Sequence, residues 1–191
     1  MKSFPGLIKV LPILAVVAIA LSVGANQWSK SKPSAIAFSP QLMEGSQNTG
    51  WGTVEAVSDG DTLKVILAGK TVKVRLCGID APEKSQPLGT EAKAYLEKLV
   101  QNAGGKVGIV ATDTDVYGRT VAEVVFVLGK TEQSAQEELL KAGMAYTYPK
   151  YVNSCSNAQP FKLAEAIAQS SKAGVWARSD QRPWDYRQSR R

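Results

Sequence analysis

Residues 72–83 of the chain read VKVRLCGIDAPE, a short alternating run that is followed at once by charged residues. Apolar and basic side chains alternate over its first positions, which predicts a β-strand with Lys73 and Arg75 on the polar face. Asp80 and Glu83 come next, on either side of a rigid Ala-Pro pair. Taken alone, this segment fits either a salt-bridged strand end or a site that gathers charge for chemistry.

The elements on both sides of this segment predict an antiparallel sheet or a small barrel. Hydrophobic periodicity indicates the order β-β-β-α-β-β-α-α, with hairpins between consecutive strands. The predicted strands cover 52–58, 62–67, 72–76, 106–111 and 120–127, and the predicted helices cover about 92–102, 132–142 and 157–173. Hairpins favour helices packed on an antiparallel sheet over a doubly wound fold, in which strands and helices alternate.

Two further charged clusters lie in predicted turns. Residues 59–62 (DGDT) join the first two strands, and residues 113–119 (DTDVYGR) place Arg119 beside the last one. Taken singly, the first could be an ordinary Asp-Gly turn and the second a solvated hairpin tip. An EF-hand is excluded, because Lys70 stands where the twelfth position of its loop needs a bidentate Glu.

Composition narrows the chemistry that these clusters can perform. The chain of 191 residues contains no His, which excludes Ser-His-Asp catalysis, Cys-His catalysis and a His-ligated zinc site. Its 23 Lys and Arg against 17 Asp and Glu give a formal net charge of +6, which suits an anionic partner. Carboxylates that bind Ca²⁺, arginines that bind phosphate and a spare carboxylate that activates water form the set that phosphodiester hydrolysis needs without His.

In this order, DGDT, RLCGIDAPE and DVYGR resemble the motifs of the staphylococcal nuclease (thermonuclease) family. The resemblance covers about residues 51–177, the expected nuclease domain. It implies an α+β fold, namely an OB-fold five-stranded β-barrel with three packed α-helices. It also implies a Ca²⁺-dependent endonuclease that hydrolyses DNA and RNA and leaves 3′-phosphate ends.

The resemblance implies a calcium site built from two of the motifs. Asp61 and Asp80 would ligate the ion with their carboxylates, and Ala81 would add its backbone carbonyl. Asp59 would shape the loop without touching the ion. Ala81 stands where the best-known member of the family has Thr, so a side-chain contact to the water around the ion is absent here.

The same resemblance implies the catalytic and substrate-binding residues. Arg75 and Arg119 would hold the scissile phosphate, and Glu83 would act as general base on the attacking water. Tyr146 and Tyr148 resemble the paired tyrosines of the family's nucleotide pocket, although the spacing before them is shorter.

The two ends of the chain predict targeting and solvent exposure. Residues 1–25 combine lysines, an apolar run and a small-residue cleavage pattern, which predicts a signal peptide or, if uncleaved, a membrane anchor. Residues 26–50 are predicted as a flexible linker, and residues 178–191 as a basic tail that either attracts phosphates or is simply solvated. We therefore expect an exported monomer, secreted or periplasmic, that binds nucleic acid without an obligate protein partner.

Export bears on the interpretation of Cys77 and Cys155. In an oxidising compartment two cysteines are a candidate disulfide, and two separate buried thiols are the alternative.

Two other functional classes compete with the enzyme. An OB-fold that binds nucleic acid without cutting it would have lost the arginines and carboxylates named above, and all of them are present here. A structural protein with salt-bridge networks leaves unexplained why these charges gather at strand ends.

Overall fold

The computed structural model describes residues 49–190. The predicted signal peptide, nearly all of the predicted linker, and Arg191 lie outside the described residues. The strands are β1 Gly50–Asp59, β2 Thr62–Leu67, β3 Lys70–Leu76, β4 Ile79–Asp80, β5 Lys106–Thr114, β6 Thr120–Leu128, β7 Thr131–Ser134 and β8 Tyr146–Thr147. The helices are α1 Gly89–Asn102, α2 Ala135–Lys141, α3 Ala158–Ser170 and α4 Pro183–Gln188, and 3-10 turns cover Val152–Ser154 and Gly174–Ala177.

The strands form a closed barrel, which confirms the predicted α+β, OB-fold class. Neighbouring strands follow the order β3-β2-β1-β5-β6-β7. These pairings are antiparallel, and a parallel pairing of β3 with β6 joins the two sides. The β2–β3 hairpin turns at Ala68 and Gly69, whose φ angles of 48° and 77° fit the turn type that matches the twist of the strands.

Strict alternation along the strands fills the barrel with aliphatic side chains. In β2 the buried aliphatic side chains are Leu63, Val65 and Leu67, whereas Lys64 and Ile66 face out. Each fully buried aliphatic side chain contributes about 1.5–3 kcal/mol to the free energy of unfolding. Apolar burial, rather than the charged residues, therefore stabilises the barrel itself.

Three helices pack outside the barrel with amphipathic stripes. The buried residues of α1 include Ala92, Leu96, Leu99 and Val100, which recur at helical spacing as predicted. Helix α2 is tied to β6 by the buried side chain of Gln136. Its Oε1 accepts the backbone N–H of β6 at 3.2 Å, and its Nε2 donates to a backbone carbonyl of the same strand at 3.0 Å.

Element boundaries differ from the predictions in several places, and three of these differences change an element or a domain limit. The helix predicted from residue 132 begins at Ala135, because residues 131–134 pair with β6 as β7 and Ser134 then caps the helix by accepting the N–H of Glu137. Gly50, predicted as the end of the linker, is already part of β1. The predicted basic tail contains helix α4. Within residues 49–190, no helix combines the length and apolarity needed to cross a membrane.

Candidate active site

Arg75 lies between two buried carboxylates at one end of the barrel. It is the penultimate residue of β3, and its Nη1 lies 3.0 Å from Oδ2 of Asp61 while its Nη2 donates to Oδ1 of Asp80 at 2.9 Å. Only 13% of the Arg75 side chain is exposed. One guanidinium therefore connects the first and second motifs, which are separate in sequence.

The turn between β1 and β2 positions Asp61 in this pair. Asp59 Oδ1 accepts the backbone N–H of Asp61 at 3.1 Å, a hydrogen bond within the turn. Gly60 lets the loop approach the rest of the fold, because a Cβ there would lie 2.7 Å from the Cβ of Ala81 and 2.8 Å from that of Ala92. Burial raises the pKa of the Asp61 carboxyl to about 7, although the Arg75 charge opposes that shift.

Asp80 is held by backbone pairing and is almost completely buried. It belongs to β4, where it pairs with Tyr146 of β8, and only 1% of the residue is exposed. The next residue, Ala81, donates its backbone N–H to Oδ2 of Asp61 at 2.8 Å. The backbone and the carboxylates of the two motifs therefore interlock.

Glu83 and Arg119 lie at the more open edge of the site. The Glu83 side chain is 39% exposed, and its backbone N–H donates to the side chain of Gln86 at 3.0 Å. Arg119 lies at the end of the β5–β6 hairpin, where its Nε donates to Oδ2 of Asp115 at 2.7 Å. Although burial opposes it, hydrogen bonds from the backbone and side chain of Arg119 lower the pKa of Asp115, so this carboxylate stays ionised beside the arginine.

One cavity contains most of the predicted site residues. Its volume is about 990 Å³, and its lining includes the predicted metal ligands, the predicted catalytic residues and one tyrosine, namely Asp61, Arg75, Asp80, Ala81, Glu83, Arg119 and Tyr148. Tyr146 is not part of this lining and is only 2% exposed. It packs edge-on against Trp176, with a ring-centroid distance of 5.2 Å. The structure thus separates the two tyrosines.

The donor set of this cavity fits a calcium ion. Asp61 and Asp80 offer hard carboxylate oxygens, which are the ligands that Ca²⁺ takes in proteins. Burial raises the pKa of Asp61, so a divalent cation beside it would offset part of the cost of keeping that carboxylate ionised. Within residues 49–190, three close metal-ligating groups occur together at Cys77, Glu123 and Cys155, but there both sulfurs are in a disulfide.

That disulfide fastens the segment between Arg75 and Asp80. It joins Cys77 to Cys155 across 78 positions of sequence, with the Cα atoms 6.1 Å apart. Gly78 lies against it, since a Cβ at Gly78 would approach the Cys155 sulfur to 2.6 Å. The cross-link therefore connects the charged motif of β3 and β4 to the chain that precedes α3.

Residues of the predicted tail also lie in the cavity, a position that none of the three sequence motifs predicts. Arg187 donates from Nη2 to Oδ2 of Asp80 and from Nη1 to Oε1 of Glu83, both at 2.8 Å. Trp184 stacks on Tyr148 with a centroid distance of 5.2 Å and an interplanar angle of 6°. Trp184 and Tyr186, two aromatic residues in an otherwise polar, basic tail, are the sequence signal from which this docking could have been inferred.

Comparisons with known proteins agree with this arrangement. A family model described as "Staphylococcal nuclease homologue" matches residues 73–178. An uncharacterized endonuclease of Haemophilus influenzae is 38% identical over 139 residues, which cover 72% of this chain and 71% of that protein. A micrococcal nuclease of Shigella flexneri is 32% identical over 144 residues, which cover 72% of this chain and 80% of that protein.

A plant relative is longer than this chain. A probable staphylococcal-like nuclease of Oryza sativa subsp. japonica is 41% identical over 129 residues, which cover 64% of this chain but only 34% of that protein. The matched part therefore spans about a third of the rice protein and most of the two bacterial ones. Because the matching family model covers the barrel from β3 onward and the first two motifs meet in one ion-paired cluster, the chain belongs to the staphylococcal nuclease family.

Proposed function

We propose that this protein is a Ca²⁺-dependent endonuclease that hydrolyses the phosphodiester bonds of DNA and RNA. The observation that carries the proposal is the position of Arg75, held between Asp61 and Asp80 in the cavity that Glu83 and Arg119 also line. The names of the bacterial relatives, an endonuclease and a micrococcal nuclease, support the same reaction class.

The two arginines are proposed to bind the phosphate and to stabilise its transition state. A guanidinium can donate two parallel hydrogen bonds to phosphate oxygens, and charge builds on those oxygens as the phosphorus is attacked. Arg75 is oriented by buried carboxylates, so it needs little reorganisation when substrate binds. Arg119 lines the same cavity and is oriented by Asp115.

Glu83 is proposed to accept the proton of the attacking water. It is more exposed than Asp61 and Asp80, so water can reach its carboxylate. Attack on phosphorus followed by loss of the 5′-oxygen, which takes up a proton, leaves a 3′-phosphate and a 5′-hydroxyl. Calcium, with Asp61, Asp80 and the Ala81 carbonyl as ligands, would supply positive charge at the phosphate.

We also propose that the protein is exported, to the periplasm or outside the cell, and acts as a monomer. The disulfide between Cys77 and Cys155 supports an oxidising compartment, because such bonds persist where thiols are not kept reduced. Anchoring to a membrane through residues 10–25 is the variant of this proposal in which the apolar N-terminal run remains attached.

The experiment compares cleavage of plasmid and single-stranded DNA by the wild type and by Glu83→Gln, in calcium and in chelator. We expect cleavage that requires calcium and falls by at least about 10²-fold in the variant, the size of effect that loss of one preorganised catalytic group produces. Cleavage that needs calcium but survives Glu83→Gln would remove Glu83 from its role. DNA binding without cleavage would favour the alternative, a non-catalytic OB-fold nucleic-acid-binding module.

A further inference from the structure

We propose that residues 181–188, the C-terminal strap, form an internal plug that competes with calcium and with a nucleotide base for the active site. The strap comprises Gln181, Arg182 and helix α4. The inference deepens the proposed function, since it takes the calcium site and the nucleotide pocket of that proposal as the places that are covered.

Arg187 donates hydrogen bonds to Asp80, a carboxylate that calcium needs as a ligand. Oδ2 of Asp80 accepts from Arg187 Nη2 at 2.8 Å, and Oδ1 accepts from Arg187 Nη1 at 3.1 Å as well as from Arg75. Both oxygens of Asp80 thus have arginine donors. The positive guanidinium of Arg187 therefore repels a calcium ion that approaches Asp80 and competes with it for the carboxylate oxygens.

The charge of the cluster explains why Arg187 and calcium exclude each other. Counted formally, the three carboxylates of Asp61, Asp80 and Glu83 and the guanidinium of Arg75 carry a net charge of −2, which one divalent cation neutralises. With Arg187 the net charge is −1. The strap therefore supplies half of the charge that calcium would bring.

Trp184 occupies the aromatic surface on which a base could stack. Its ring lies parallel to that of Tyr148, at the 5.2 Å spacing of a stacked pair, and both residues line the active-site cavity. Bases stack on aromatic side chains in this way in proteins that bind single strands. One short segment thus places a cation on the metal ligand and an aromatic ring on the tyrosine.

Besides Arg187 and Trp184, the strap is fastened by contacts of Gln181, Arg182 and Tyr186. The Arg182 guanidinium lies 4.1 Å from the ring centroid of Tyr146, and the hydroxyl groups of Tyr186 and Ser85 lie 2.8 Å apart. Helix α4 has six residues, too few to persist without its docking contacts. Detachment of the strap would break these contacts and leave every strand pairing of the barrel in place.

A plug of this kind raises the apparent dissociation constant for calcium, which equals that of the open site divided by the fraction of molecules that are open. If about a tenth of the molecules are open, the apparent dissociation constant is about tenfold larger than that of the open site. Nucleic acid that stacks on Tyr148 would favour the open form and so tighten calcium binding.

The test measures calcium binding to the full-length protein by isothermal titration calorimetry, which needs no cleavage of nucleic acid. Arg187→Ala is compared with the wild type and with Arg178→Ala, which removes the same charge from an exposed arginine paired with Asp180 outside the strap. We expect a calcium dissociation constant about tenfold lower in Arg187→Ala and unchanged in Arg178→Ala. Trp184→Ala, which leaves every carboxylate in place, should also bind calcium more tightly.

Limited trypsin digestion supplies a second readout. The peptide bond after Arg187 is protected while its side chain is engaged, so calcium should accelerate cleavage there in the wild type. Two results would overturn the plug and leave the proposed function intact: calcium affinities within twofold of each other in the wild type and Arg187→Ala, or no acceleration by calcium. If neither protein binds calcium, the plug and the calcium dependence of the proposed function are both wrong.

Discussion

Arg75 and Arg187 contact the same carboxylate, Asp80, from two very different parts of the molecule. Arg75 comes from a barrel strand with neighbours on both sides, and its side chain is 13% exposed. Arg187 comes from a six-residue helix near the end of the chain, and its side chain is 38% exposed. Both contacts are arginine–carboxylate ion pairs. Arg75 is held by strands on both sides, whereas Arg187 is carried by a short helix.

This difference indicates which charge belongs permanently to the site. The Arg75 guanidinium also pairs with Asp61, so removing it leaves two buried carboxylates facing each other. Although burial opposes it, hydrogen bonds to Asp80 and Glu83 raise the pKa of Arg187, so it remains charged wherever the protein is folded. Its removal still leaves Asp80 paired with Arg75. The Asp80 carboxylate can therefore pair with Arg75, which stays in place, and with Arg187, which can be replaced.

Replacing the fixed arginine should give the largest effect. We expect Arg75→Ala to lower the free energy of unfolding in chelator by about 3–5 kcal/mol, because it breaks two ion pairs to buried carboxylates, leaves the charge of Asp61 uncompensated and leaves Asp80 with Arg187 as its one arginine partner. Cleavage should fall by at least about 10²-fold. Urea unfolding and a plasmid-cutting assay measure the two effects.

Arg75→Lys sharpens this prediction, since it keeps the charge but cannot reach both carboxylates with a planar fork. It should recover part of the stability and little of the activity. A cleavage rate within a few-fold of wild type in Arg75→Ala would contradict the assignment of Arg75 to the phosphate.

Removal of the disulfide is expected to give the next largest loss of stability, because the bond fastens the segment that follows Arg75 and does not touch the strap. In the chain-entropy model, opening a loop of 78 positions costs about 4 kcal/mol of unfolding free energy. The Cys77→Ala/Cys155→Ala double variant should therefore unfold at lower urea concentration than wild type. A midpoint unchanged by the double substitution, and by reduction of the wild type, would argue against this role.

Arg119 separates activity from stability. Its partner Asp115 is 19% exposed and lies in a turn, so loss of the pair should change the unfolding free energy by no more than about 1 kcal/mol. Cleavage should nevertheless fall by about 10²-fold in Arg119→Ala, equivalent to about 2.7 kcal/mol of transition-state stabilisation. The pattern to look for is a slow enzyme with a normal urea midpoint. An equally stable and equally active variant would remove Arg119 from the phosphate site.

The sequence predicts the barrel strands well, because buried apolar and exposed polar residues alternate locally along them. The bounds of β2 at 62–67 agree with the structure, and the stripe of α1 is the one expected from its helical spacing. The sequence does not predict strand β7, because residues 131–134 have no apolar alternation. The hairpin with β6 sets the pairing of this strand. Local pattern cannot reveal an element that is defined by its neighbour.

The site divides along the same line. Asp61, Arg75 and Asp80 could be found from short motifs, and the structure brings them into contact. The contact between Arg187 and Asp80 joins residues 107 positions apart, and it is accompanied by the stacking of Trp184 on Tyr148. No spacing rule encodes such a contact, so composition alone presented the segment as a basic tail.

The smallest expected effect is the one that tests the comparison most directly. Arg187→Ala should change the unfolding free energy in chelator by less than about 1 kcal/mol, since its head group and its partner Glu83 are 38% and 39% exposed and Asp80 keeps Arg75. Urea unfolding of Arg187→Ala and Arg75→Ala, run side by side in chelator, gives the ratio of the two effects. If Arg187→Ala costs as much stability as Arg75→Ala, then the strap is a permanent part of the folded framework, and Asp80 needs both arginines to stay buried as an anion. A small effect for Arg187 beside a large one for Arg75 means that the outer arginine can leave without unfolding the site, which is the condition for calcium to take its place.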